Sequence, residues 1–374
     1  MTRALLARAA TAGVLALLAH AAQAATIVVG QVGPMSGMEA TQGRAYATGM
    51  ELLFNSVNKA GGVNGHTFTL VRKDDGGRPE DTVSMTRELL AQNKPLVLAG
   101  YFGNKNIADL VASGLLEKEK IPLVGYRSWE IRGETPLLYN VRAGLREELN
   151  KLTEHLATIG ITKLGLLYEA GPGAASLLAA AEQSAKQAKA QIGSHATYDP
   201  GTTKVNAAVD QLVKAQPQAI LVVASGAAAA AFIEQYRASG GVAQIFTHSG
   251  ADVEQMAKRL GEEQLQGVAI AQVTPSPYKI SSRIAKELND IAAASGKLEV
   301  PLSYAMMEGF ITAKVIVEAV RRQRAPSREG MVAALDSIDR LDLGGYMVGF
   351  KPGQRTGSKF VELSIVNNTG KIRQ

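Results

Sequence analysis

The sequence predicts an α/β protein with two parallel-sheet halves. Strand and helix signals alternate for most of its length, which is the rhythm of βαβ units. That rhythm restarts once, after a charged helix near the middle of the 374-residue chain. The first unit is the most legible. An apolar strand, Ile27–Val32, runs into a Gly/Pro/Ser loop, GPMSG. A helix over 41–60 follows, with Met50, Leu53, Phe54 and Val57 at helical spacing. Gly61 and Gly62 end it, because glycine tolerates the left-handed backbone of a C-cap. Val63-Asn64-Gly65 then turns into a second strand over 66–72.

The later elements follow in order. Strands are predicted over 96–99, 121–125 and 137–142, with helices over 80–92, 105–118 and 145–159. The second half has strands over 163–168, 192–198, 218–224, 243–247 and 267–273. Its helices cover 174–189, 203–215, 227–239 and 252–260; the run Ala227–Ala231 is a good helix former that allows close packing on a sheet. Pro275, Pro277 and Pro301 mark breaks around helices over 279–293, 303–322 and 327–337. The chain ends in an expected hairpin, Tyr346–Phe350 with Lys359–Asn367, joined by KPGQRTGS.

Residues 1–24 read as a cleaved export signal. Arg3 and Arg8 form the basic region, Ala9–Ala19 the apolar region, and Ala22-Gln23-Ala24 the cleavage site. The apolar run is too short to span a bilayer. The chain has no cysteine, hence no disulfide and no lipid-modified N-terminus. The expectation is a soluble, monomeric protein free in a periplasm. Net charge is +6, scattered beside acids, and aromatics are 5% of residues. That is a solvated surface, not a nucleic-acid stripe or a stacking platform for bases.

In parallel sheets, ligands sit at the carboxyl ends of strands. The loops there are Gly33–Gln42, Gly100–Asn106 and Gly125–Glu130, then Tyr168–Ala174, Ala224–Ala227 and His248–Asp252. Candidate ligand contacts are Ser36, Gln42, Tyr101, Gly103, Asn104, Arg127, Ser128, Trp129, Tyr168, Ser225, Gly226, His248 and Ser249. Arg127 could fork onto a carboxylate, and Trp129 could stack on an apolar ligand. Each has a plainer alternative. Asn104 can be only an N-cap, Ser36 a turn residue and His248 a solvated loop residue. Arg127 can pair with Glu130 or Glu134, and Trp129 can pack between a lobe and its lid. Arg127 and His248, with no evident acid partner for an amine, point to an anionic ligand. Three motifs mislead. Gly171-Pro172-Gly173 before Ser176 lacks the third glycine of a dinucleotide fingerprint. Gly353–Lys359 has the wrong spacing for a P-loop, and Asp74-Asp75 has no further ligand cluster and reads as turn caps. No catalytic motif, cofactor or metal is implied.

GPMSG, the helix ending NKAGGVNG, and the strand ending in Asp74-Asp75 resemble, in order and spacing, the branched-chain-amino-acid type of periplasmic substrate-binding protein. The resemblance runs through GVAIAQVTPSP, LSYAMMEGF and LGGYMVGF to the C-terminus. It implies the type I periplasmic binding fold: two doubly wound parallel-sheet lobes joined by a three-segment hinge. Lobe 1 would comprise 25–143 plus 274–344, and lobe 2 would comprise 144–273 plus 345–374. It also implies a solute-binding component of an ABC importer. That component would capture an amino acid or similar small carboxylate and pass it to an inner-membrane permease. A ligand-sensing module of the same fold is the alternative; an exported α/β hydrolase would need a nucleophile–base pair that the sequence does not offer. Relatives touch ligand at the position of Gln42 and often carry Tyr-Gly where Pro172-Gly173 stands. They place an acid near Gly250 for the α-ammonium; here the nearest is Asp252. Arg142 matches an arginine near the hinge.

Overall fold

A computed structural model describes residues 25–129, 135–366 and 372–373. The first lobe is a five-stranded sheet of β1 (Thr26–Gly33), β2 (Thr67–Asp74), β3 (Val97–Phe102), β4 (Leu123–Arg127) and the short β5 (Leu138–Tyr139). The order is β2-β1-β3-β4-β5 and every pair is parallel. Helices α1 (Ala40–Lys59), α2 (Pro79–Asn93), α3 (Asn104–Ala112) and α4 (Leu115–Glu119) make the crossovers. The helix expected over 105–118 is split in two, because Gly114 turns at φ +65°. Strand order reverses between β1 and β3, so the lobe's natural crevice lies beyond Gly33 and Phe102.

The second lobe begins with α5 (Leu145–Thr158) and β6 (Lys163–Glu169), then α6 (Ala174–Gln187), β7 (Gln191–Tyr198), α7 (Asn206–Ala215) and β8 (Ala219–Val223). It continues through α8 (Gly226–Ala238), β9 (Gln244–Thr247), α9 (Val253–Arg259), α10 (Glu262–Leu265) and β10 (Ala269–Gln272). Three helices follow: α11 (Arg283–Ala294), α12 (Tyr304–Arg321) and α13 (Arg328–Asp336). A two-stranded ribbon, β11 (Leu341–Asp342) with β12 (Met347–Val348), precedes β13 (Glu362–Val366) and β14 (Ile372–Arg373). The second sheet runs β14-β13-β10-β9-β8-β6-β7 and reverses between β6 and β8. The expected terminal hairpin is not formed. β12 pairs back to β11, while β13 runs antiparallel to β10. Both segments alternate as strands do, but their partners are set by tertiary neighbours and not by the intervening turn.

Helix α12 belongs to the first lobe, where it lies against α1 in the core with Met306, Phe310 and Ile311. Tyr346, Val348 and Phe350 sit in that same core, so the chain leaves the first lobe between Phe350 and Glu362, later than the expected passage near Gly344. We therefore propose that residues 345–350 be counted with the first lobe. The Tyr346 hydroxyl lies 3.0 Å from the Val141 carbonyl and 2.9 Å from the Val273 carbonyl, tying two of the connecting segments to the first lobe's core. Among the described residues, no helix is long and apolar enough to cross a membrane.

Two glycines let α1 and α12 touch backbone to backbone. A Cβ at Gly49 would stand 2.0 Å from the Met306 carbonyl oxygen, and one at Gly309 would stand 2.0 Å from that of Tyr46. Neither neighbour is a flexible side chain, so the helices would have to part. Gly49→Ala or Gly309→Ala should lower the unfolding free energy by about 1–3 kcal/mol in urea titration. Gly193→Ala, with nothing within 4 Å, should stay within roughly 0.5 kcal/mol of the parent.

Candidate functional site

The carboxyl ends of β1, β3 and β4 face the second lobe. Parallel register sets Phe102 beside Arg127, and the guanidinium carbon lies 5.7 Å from the ring centroid. Opposite them, β9 ends at Thr247 and delivers His248. Between the lobes is a cavity of about 70 Å³, lined by Pro34, Glu39, Gln42, Gly77, Phe102, Gly103, Asn106, Arg127, Ser128 and Trp129, by Arg142, and by His248 and Gly250. One water needs roughly 10–15 Å³ of such space, so the cavity suits a small molecule.

A cluster of buried charges forms the cavity's base. Arg127 donates from Nε to Glu308 Oε2 at 3.1 Å and from one terminal nitrogen to Gln42 Oε1 at 2.6 Å. That nitrogen also lies 3.5 Å from Asp252 Oδ2, across the lobe boundary. Arg142 reaches Glu308 Oε2 at 3.5 Å and Glu148 Oε1 at 3.0 Å, and it donates to the Ser249 hydroxyl. Ser249 closes the circuit, its backbone N–H donating to Glu148 Oε2 at 2.6 Å. Two buried guanidinium groups thus share Glu308 and each holds a further acid. The carboxyl of Glu148 is raised above its usual range by burial, against the pull of Arg142.

His248 is neutral. Burial, reinforced by the two arginines, lowers its pKa to about 3. Its Nε2 lies 3.0 Å from the Ala224 carbonyl, and its Nδ1 accepts from the Gly250 N–H at 3.2 Å. This bonding fixes the proton on Nε2, and the Trp129 ring stands edge-on at 5.3 Å. Glu39 behaves in the opposite sense. Burial, then the nearby charge of Asp252, raises its pKa to about 7. It accepts from the Gln42 amide at 2.5 Å, and Gln42 also donates to Gln255 Oε1 of the second lobe at 3.1 Å.

Of the residues singled out in the sequence, Gln42, Gly103, Arg127, Ser128, Trp129 and His248 line this cavity. Asn104 starts α3, and its side-chain oxygen accepts from the Ser128 hydroxyl at 2.9 Å and the Trp129 N–H at 3.0 Å; it shapes the wall from behind. The remaining candidates lie outside the cavity lining. Tyr101 is fully buried in the first lobe, its hydroxyl 3.1 Å from that of Thr86. β3 extends to Phe102, so alternation turns Tyr101 away and gives Phe102 to the cleft. Ser36 is exposed in a turn, donating its N–H to Asp74 at 3.2 Å. Tyr168 is packed in the second core. Ser225 caps α8, and Gly226 abuts Gln255, leaving no space for a Cβ. Ser249 serves Glu148 and Arg142.

Asp74 and Asp75 cap turns: Asp74 Oδ1 accepts from Met35, Ser36 and Gly76, and Asp75 Oδ1 accepts from Gly77. Arg127's expected partners Glu130 and Glu134 lie outside the described residues; the partners described are Glu308, Asp252 and Gln42. Sequence reasoning did not single out Glu39, Phe102 or Asn106. Glu39 was within reach, as the one acid in the loop after β1.

Comparisons with known proteins place the chain as a whole. The family model described as "Periplasmic binding protein" matches residues 26–365. A Leu/Ile/Val-binding protein homologue of Brucella suis is 25% identical over 90% of this chain and 87% of its own. An amino acid binding protein of Pseudomonas aeruginosa is 34% identical, over 25% of this chain and 24% of its own. A substrate-binding periplasmic protein of Ralstonia solanacearum superposes with a TM-score of 0.87 at 36% identity, covering 93% of this chain and 99% of that one.

Removing Glu308 would leave two buried guanidinium groups short of a shared counter-charge. Glu308→Ala should cost about 3–5 kcal/mol in denaturant unfolding. A cost below 1 kcal/mol would mean that solvent or another acid already neutralises the arginines.

Proposed function

The chain belongs to the periplasmic binding protein family, and from that premise we propose that it captures an amino acid between its lobes and delivers it to an ABC permease of the inner membrane. As a member of that family it is a substrate-binding protein and not an enzyme. The observation that carries the ligand class is the charge balance at the cavity. Arg127 and Arg142 already hold Glu308, Glu148 and Asp252, and Glu39 stands beside Asp252 with its charge suppressed. Arg259 also acts on Glu39 and Glu254 adjoins Asp252; with both counted, acids still outnumber bases and His248 carries no charge, so an incoming ammonium group completes the balance. This replaces the expectation of an amine-free anion. The ligand carboxylate is then best served at the start of α3, near Gly103 and Ser128, where helix N–H groups favour anions. Solved relatives described as binding isoleucine, from Streptococcus pneumoniae, and valine, from Thermus thermophilus, support an amino acid.

Binding should close the two lobes around the ligand. A ligand at a hundred times its Kd adds about 2.7 kcal/mol, or several degrees in melting temperature. A thermal-shift panel of amino acids, aromatic acids and dicarboxylates should therefore single out amino acids, and the best binder should compact the particle in X-ray scattering. A preference for acids without an amine would overturn the assignment.

Glu39 gives the reading a pH signature. Its folded pKa of about 7 lies above the ordinary carboxyl value, so at pH 6 it holds a proton that the ammonium of the ligand must displace. Affinity should weaken as pH falls below about 7, by up to tenfold per unit, with proton release detectable by calorimetry in buffers of different ionisation enthalpy. Without ligand the sign reverses for stability. The folded form binds the extra proton between about pH 4.5 and 7, so Glu39 opposes folding increasingly as pH rises through that window. Glu39→Gln should flatten the affinity profile and reduce the slope of the stability profile, the remainder of which comes from Glu254, raised to about 8 by burial and then by the charge of Asp252.

We further propose export to the periplasm with cleavage after Ala24. Residues 1–24 lie outside the described residues, so the reading rests on their sequence. Mass spectrometry of the periplasmic fraction should find an N-terminus at Ala25, and an intact Met1 there would refute it.

A further inference from the structure

We propose that the pole of the first lobe opposite the cleft is a peripheral contact surface for a bilayer that bears anionic phospholipids. The choice of a membrane as partner rests on the export reading above. Residues 59–66, 94–96 and 117–120 lead towards β2, β3 and β4, and residues 318–329 join α12 to α13. Side chains stitch these segments into one face. Asn64 donates from Nδ2 to the Arg321 and Gln323 carbonyls at 3.1 and 2.9 Å. Arg328 donates from Nε to the Pro95 carbonyl at 3.1 Å, and Lys120 lies 3.4 Å from Glu329. The segments carry eight lysines and arginines against four acids. That surplus equals the net charge of the whole chain from Ala25 onward, which is +4 once Arg3 and Arg8 are removed. Arg321 and Arg322 pair with Glu318, and Arg328 pairs with Glu119. Lys59, Lys94, Lys118 and Arg324 are exposed and, among the described residues, meet no acid at ion-pair distance.

Helix carboxyl ends meet at this pole, and each favours a cation. That local effect sets single positions; the surplus left after pairing is what a partner meets. Three observations select the partner. Among the described residues, none of the exposed large apolar side chains lies in these segments, so the contact is electrostatic and without insertion. The unpaired cations come from four separate segments, which suits an array of headgroups better than one enclosed anion. Strand β1 begins at the same pole: Thr26 is in register with Thr67, and the Ala25 main-chain nitrogen lies 3.3 Å from His66 Nδ1. In the precursor an apolar signal within the membrane joins the fold at this point, so this face is the one held against the bilayer. Cleavage after Ala24 turns the Ala25 nitrogen into an ammonium and adds a cation. The cleft lies at the carboxyl ends of the same strands, so the contact leaves it uncovered, and a reversible contact leaves the protein soluble.

The test is co-sedimentation of the chain from Ala25 onward with large vesicles, either of phosphatidylcholine alone or with a third of it replaced by phosphatidylglycerol. The anionic vesicles should bind the protein at low salt and the neutral ones should not. Raising salt from about 0.01 M to about 1 M shortens the screening length from about 30 Å to about 3 Å and should release it. Lys59→Gln, Lys94→Gln, Lys118→Gln and Arg324→Gln combined should weaken binding at least about a hundredfold, since each basic residue at an anionic surface contributes roughly fivefold. Lys163→Gln, Lys186→Gln, Lys204→Gln and Lys214→Gln combined remove the same charge from exposed positions of the second lobe. Being farther than a screening length from the bilayer, they should weaken binding less than about threefold. Thermal melts of both combinations should match the parent. No binding of the parent to anionic vesicles, or equal losses in the two combinations, would overturn the surface. Retention on polyglutamate beads without vesicle binding would overturn the membrane and leave a soluble polyanion as the partner. None of these outcomes bears on export, which the N-terminus of the periplasmic protein decides.

Discussion

Two arginine side chains buried together are the constraint on which the site depends. Like charges in a low-dielectric interior repel, and burial alone would expel one of them. Glu308 resolves this by lying between them, 3.0 Å from Arg127 and 3.5 Å from Arg142. Glu308 is held there by a backbone-to-backbone helix contact, since its neighbour Gly309 is a point where α12 meets the backbone of α1. Packing in the first lobe therefore sets the electrostatics of the cleft. The rest of the neutralisation comes from the second lobe: Asp252 faces Arg127, while Glu148 and Ser249 hold Arg142. The lobes are coupled because the charges of one are completed by the other.

Much of this fold was legible in the sequence, and the failures have physical causes. Helix α1 was readable because Met50, Leu53 and Phe54 are all core residues on one face, and the strands of both sheets because they are short apolar runs between turn signals. The terminal segments were readable as strands but not as partners. A strand's neighbour is chosen by the sheet it completes, and β13 completes the edge of β10. At the site, the placement of Tyr101 turned on where a strand stops. Ending β3 at Ala99 made Tyr101 a loop residue facing the cleft; the strand runs three residues further, and the pleat exchanges Tyr101 for Phe102. The same extension makes Arg127 the last residue of β4, rooted in the sheet and unable to swing out as a loop arginine would.

Partners far apart in sequence were the part that could not be read. Arg127 meets Gln42, Asp252 and Glu308, which come from three other segments of the chain, and nothing local to Arg127 announces any of them. Without those distant acids in view, Arg127 and His248 pointed to an anionic ligand. Once the distant acids are in place, both arginines have buried carboxylate partners. Asp252 shows how one residue carries both readings. Its Oδ1 caps α9 by accepting from the Gln255 N–H at 2.9 Å, while Oδ2 faces Arg127.

The contacts that cross the cleft also limit what a ligand must contribute. Gln42 with Gln255, Arg127 with Asp252, and the Gln255 amide donating to the Met38 carbonyl at 2.6 Å all favour the lobes together, whatever lies between them. A ligand shifts an opening equilibrium only by the difference in its affinity for the two arrangements. Where direct lobe–lobe contacts already supply part of that stabilisation, fewer ligand contacts are needed for closure. Selectivity must then come from groups the lobes do not satisfy between themselves. Glu39, which lines the cavity with its charge suppressed by burial and then by Asp252, is one such group, and a cation is what would restore that charge.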